Sequence, residues 1–60
     1  MITIRKNPNF QEWFQVFAFG KFIDELRSKA QAMDLANSIA KNNRKDFYHV
    51  EDQRVKVKPL

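Results

Sequence analysis

One histidine, seven carboxylates and eleven Lys and Arg side chains are what this 60-residue chain offers to chemistry. His49 is its single candidate general base. In an extended segment Glu51, two residues on, falls on the same face and has the spacing that orients an imidazole. No nucleophile, oxyanion loop or pocket accompanies the pair, so His49 reads as a solvent-facing strand residue near Lys56. Asp24-Glu25 and Glu51-Asp52 are neighbours in sequence, and neighbours in a strand point to opposite faces, where they cannot share a proton or flank a bond. Gly20 is the only glycine, too few for a phosphate-cradling loop. Ser28 stands three residues before Gln31, the spacing of a helix cap rather than of an activated nucleophile. With no cysteine and one histidine there is neither a disulfide framework nor a zinc ligand set. The sequence is therefore expected to carry no catalytic residues, no metal and no cofactor.

The cations are the remaining chemistry. A net charge of +4 makes polyanions plausible partners. Arg54, Lys56 and Lys58 alternate, so in a strand all three project from one face, with Phe47 and His49 of a paired strand among them and Arg5 as a further contributor. That arrangement suits phosphate contacts beside an aromatic on which a base can stack. The competing explanation is an edge strand kept from aggregating by its charges, and the absence of a recognised RNA-binding aromatic motif favours it.

These groups must be positioned by the elements around them. Ser28 caps a helix with Gln31 closing a capping box. Ala32, Leu35, Ala36, Ile39 and Ala40 then repeat at helical spacing, with Met33 at the edge as core filling and Gln31, Asp34, Asn37, Ser38 and Lys41 opposite. Three small alanines let the axis lie close to a sheet. Asn42 and Asn43 tolerate the left-handed conformation that ends helices, and Lys41, Arg44 and Lys45 suit the negative end of the helix dipole.

Ile2 and Ile4 alternate with Thr3 and Arg5 in a short strand that Asn7-Pro8-Asn9 breaks. Glu12 to Phe19 is aromatic and β-branched enough for a second strand. Gly20-Lys21 suits a type II′ turn returning as Phe22 to Leu26. Phe47 to Glu51 and Arg54 to Lys58 flank Asp52-Gln53 as a second hairpin, which Pro59 ends.

Across the second hairpin Tyr48, Val50, Val55 and Val57 share one face. The first hairpin is apolar on both: Trp13, Phe17, Phe19, Phe22 and Leu26 with Gln15 and Asp24 on one, Phe14, Val16, Ala18 and Ile23 with Glu25 on the other. A single helix covers one side of a sheet, so an aromatic set is left for solvent, a loop or another chain.

Phe14-Gln15-Val16, Gly20, Ser28-Lys29, Ala32, Ala36 and Ala40 resemble the pattern of a group of short bacterial proteins that form a domain of unknown function: aromatic-x-Val, a glycine turn, then Ser/Thr-Lys and alanines four apart. The likeness weakens in the closing hairpin, where Asp52-Gln53 replaces an Asp-Gly turn. It implies a sheet covered by one helix and brings no site residues with it.

The expected fold is thus a single α+β domain over residues 1–60, an antiparallel sheet in the order β-β-β-α-β-β packed on one helix. No apolar run of signal-peptide or membrane-spanning length occurs, so a soluble, cytoplasmic protein is expected. The expected function is a non-enzymatic interaction domain that self-associates through the face of Trp13, Phe17, Phe19 and Phe22. The alternatives are weak nucleic-acid binding through Arg5, Arg54, Lys56 and Lys58, or a small inhibitor or adaptor of a larger protein partner.

Overall fold

The computed structural model describes residues 1–59. Its elements are β1 (Ile2–Lys6), β2 (Phe14–Ala18), β3 (Lys21–Leu26), α1 (Lys29–Asn42), β4 (Phe47–Val50) and β5 (Gln53–Lys56). The five strands form one sheet in the order β3-β2-β1-β4-β5 with α1 packed on one side, the expected α+β class. Three of the neighbouring pairs are antiparallel and β1–β4 is parallel. The parallel pair follows from connectivity, because a chain that passes through a helix before rejoining the sheet can return in the same direction as the strand beside it.

The helix forms as its spacing dictates. Ser28 Oγ accepts from the Gln31 N–H at 3.2 Å. Ala32, Ala36 and Ala40 are completely buried on the sheet beside Ile2, Ile4, Val16 and Ala18, with Tyr48 and Val50 continuing the core across β4. Asn37, expected on the solvent side, is buried instead. Its Nδ2 donates to the Lys58 carbonyl at 3.1 Å and its Oδ1 accepts from the Lys58 N–H at 2.8 Å, so one side-chain amide pairs with the tail as a strand would. The left-handed residue at the helix end is Arg44 (φ 57°), not Asn42 or Asn43. The Lys45 N–H reaches the Ala40 carbonyl and the Arg44 N–H the Lys41 carbonyl, the double closure of a Schellman motif. Asn43 contributes through its side chain, donating to the Ile39 carbonyl at 2.8 Å.

Both hairpins turn one residue earlier than the sequence suggests. Ala18 pairs with Lys21, so Phe19-Gly20 are the central residues, with φ of 54° and 79°. Positive φ at both positions is the type I′ geometry, and Phe19 leaves the strand. Val50 pairs with Gln53, which puts Glu51 (φ 55°) and Asp52 in the second turn. There the sidedness survives, because the register moves by two. In the first hairpin it does not. A bulge between Val16 and Phe17 pairs Phe17 with Phe22 but Val16 with Asp24, leaving Ile23 without a partner on β2. Beyond it the faces exchange: Leu26 joins Phe14 against the core and Glu25 faces outward with Gln15.

Candidate nucleic-acid interface

The side of the sheet away from α1 carries the site. Register aligns one residue from every strand in a transverse row: Phe22, Phe17, Thr3, His49 and Arg54. Phe17 and Phe22 meet edge to face, with centroids 5.7 Å apart. Arg5, one pleat along β1, lays its guanidinium 4.5 Å from the Phe17 ring centre, and Arg54 lies 4.6 Å from that of Phe47. Both distances are well inside the cation–π range of about 6 Å. Phe47 pairs across to Lys56, which adds a cation at the margin. The face is therefore two aromatic groups, each topped by an arginine. They stand two strands apart and two residues out of line, roughly 12 Å at ordinary strand spacing and rise. A recess of about 280 Å³ bordered by Thr3, Arg5 and Phe17 adjoins the first of them.

Acids keep to one end of this face. Glu25 accepts from Asn7 Nδ2 at 2.8 Å, and Glu51 sits in the second turn. Asn7 also shapes the β1–β2 loop: its Oδ1 accepts from the N–H groups of Asn9 and Phe10, and its own N–H donates to the Trp13 carbonyl. His49 lies between Thr3 and Arg54, and among the described residues its buried Nδ1 finds no hydrogen-bond partner.

Of the aromatic residues expected to form one patch, Phe17 and Phe22 are brought together. Trp13 ends up beside the β1–β2 loop with the Arg27 guanidinium 5.9 Å away, and Arg27 also pairs with Glu12 at 3.0 Å. Phe19 is carried into the turn, 5.9 Å from the Lys45 ammonium. Of the cations, Arg5 and Arg54 lie on the open face with Lys56 at its edge. Lys58 does not continue the row, because β5 ends at Lys56 and Asn37 holds the tail beside α1.

Lys58 belongs to a second basic surface. A groove of about 650 Å³ runs between the end of α1 and the end of β5, with Lys41, Arg44, Lys45, Lys56 and Lys58 on its walls. Asp46 is its only acid and Phe47 its aromatic edge. By sequence Lys41, Arg44 and Lys45 look like helix-end charges and nothing more. Topology makes them a cluster: α1 must finish where β4 starts, and antiparallel β5 must finish at that same end.

Among the described residues no group of His, Cys, Asp or Glu is placed to hold a metal ion, and no helix is long and apolar enough to cross a membrane. No protein-family model, curated protein or solved structure matches this chain.

Proposed function

We propose that this domain binds single-stranded nucleic acid, with little sequence preference, on the open face of its sheet. The observation that carries this reading is the pair of arginine-topped aromatics on the open face, Phe17 under Arg5 and Phe47 under Arg54. Aromatic rings accept unpaired bases of any identity once the guanidinium groups lying over them move to the phosphates. A duplex keeps its base faces stacked and offers the rings nothing.

A face-to-face homodimer would instead take Arg5, Arg54 and Lys56 out of water, a cost that Glu25 and Glu51 offset only where the two-fold sets opposite ends of the face together. Self-association is the second reading, at a different place. Phe22 and Ile23 of the outer strand β3 are 56% and 43% exposed, and pairing of two β3 edges would cover them.

The test is fluorescence anisotropy with labelled single strands of about four nucleotides, the short end of single-strand site sizes, and with duplexes of the same sequence. Three phosphate contacts from Arg5, Arg54 and Lys56 give an expected slope of log affinity against log salt of roughly −2. Binding to the single strand that weakens with that slope, and weaker stacking-free binding to duplex, is the expected result. No binding at low salt, or equal binding to both forms, overturns it.

A further inference from the structure

We infer that the groove between the ends of α1 and β5 is a phosphate track for the same strand, so that a ligand longer than the open face leaves it past Phe47 and Lys56 and runs between Lys41, Arg44, Lys45 and Lys58. This rests on the reading of the open face as a single-strand site.

Four observations carry it. The groove holds five of the eleven Lys and Arg residues and one of the seven acids. Cations concentrated in a concave wall repel one another and focus a positive potential, which a polyanion relieves. The groove is continuous with the face, because Phe47 and Lys56 border both. Its far wall is fixed: Asn37 pairs with both backbone groups of Lys58, and the Val57 N–H donates to the Asp46 carbonyl at 2.9 Å. Finally, Arg44 adds to the helix-end charge of Lys41 from just outside α1. Arg44 occupies the left-handed position that closes the Schellman motif, where glycine is favoured and a β-carbon is strained. A cation thus stands at the mouth of the groove, at a position where glycine would be less strained.

The experiment compares the wild-type protein with the triple variant Lys41→Gln, Arg44→Gly, Lys58→Gln, using single strands of about four and about twelve nucleotides, both within the range of single-strand site sizes. In the wild type the longer strand is expected to show the steeper salt slope. The variant is expected to lose about 2 from that slope, at roughly 0.7 for each of three contacts removed, and to bind the short strand as the wild type does. Glycine at position 44 should raise the melting temperature, so a weaker grip on the long strand is not a failure to fold. Lysine acetylation of the wild-type protein is the second measurement, with Lys41, Lys45 and Lys58 expected to be protected by the long strand and not by the short one. An unchanged long-strand slope in the variant, or acetylation indifferent to strand length, overturns the groove as a track while leaving the open face standing. Failure of the wild type to bind either strand overturns the open-face reading, and the groove's role with it.

Discussion

The two faces of this sheet use apolar residues in opposite ways. At the centre of the face under α1 the side chains are small or β-branched, Ala18, Val16, Ile2 and Ile4 against three helix alanines, with Tyr48, Phe14 and Leu26 packed around them and no charge among these residues. On the open side stand the rings of Phe17, Phe22 and Phe47, and Arg5 and Arg54 lie over two of them. The first face gains by excluding water at close range, at about 25 cal/mol per Å² of apolar surface. On the second, each cation–π contact is worth only about 0.5–1 kcal/mol at an exposed site, and ring area is left unused by the fold. The contrast teaches that hydrophobic content alone does not locate a core. The company of charges separates the packed face, which includes the Tyr48 and Phe14 rings, from the presented one.

Substitution separates the faces most sharply at their centres. Ile4, completely buried, should cost about 2–5 kcal/mol as Ile4→Ala, comparable to the whole stability of so small a domain. Phe22→Ala on the open face should cost under about 1 kcal/mol, as surface substitutions do. Urea midpoints for the two variants give the comparison, and similar losses would mean that the open face is part of the core. Asn37→Ala comes next. It removes both amide bonds to Lys58, each worth about 0.5–1.5 kcal/mol, for an expected loss of about 1–3 kcal/mol. Accelerated amide exchange at Lys58 would locate the effect in the tail. Ser28→Ala should lower stability by about 1 kcal/mol through the lost cap to Gln31, read from the same midpoints.

The smallest effect lies on the packed face and appears only in alkali. Burial, with a lesser contribution from Asp34, pushes the Tyr48 phenol above its ordinary value near 10. The folded state therefore favours the neutral form. That preference is fully present below pH 10, where both states are neutral; above it the unfolded phenol ionises first, and the stability is lost as pH rises through the raised native value. Tyr48 is the only tyrosine, so tyrosinate absorbance reports it directly. Its midpoint should lie higher in the native protein than in urea, and Tyr48→Phe should flatten the alkaline fall in stability.

Local chemistry makes the helix legible in the sequence. Ser28, the alanine spacing and the polar residues after Ala40 mark its cap, its face and its end. Its left-handed closing residue, Arg44, and its buried polar residue are hidden, the latter because Asn37 answers to a tail that lies far from it along the chain. The second hairpin is legible in sidedness, since a two-residue change of register leaves alternation intact. The first is not. Period-two alternation carries no mark of the bulge at Val16/Phe17, and that bulge moves Leu26 to the core and Glu25 outward. Gly20 announces a turn without fixing whether it stands first or second in it. Of the candidate site, Arg5, Arg54, Phe17 and Phe22 can be read from alternation alone. The groove cannot, because Lys41, Arg44 and Lys45 meet Lys56 and Lys58 through strand order.

The open face as a stacking surface is tested most directly by titrating a labelled single strand at low salt against the wild type and a Phe17→Ala, Phe47→Ala variant, with melting curves for both. Base–aromatic stacking is worth about 1–3 kcal/mol per base, so losing both rings should weaken binding by at least about thirtyfold in a protein that still melts cooperatively. Equal affinity in two folded proteins would contradict it, and would leave the aromatic face to a protein partner or a second copy of the chain.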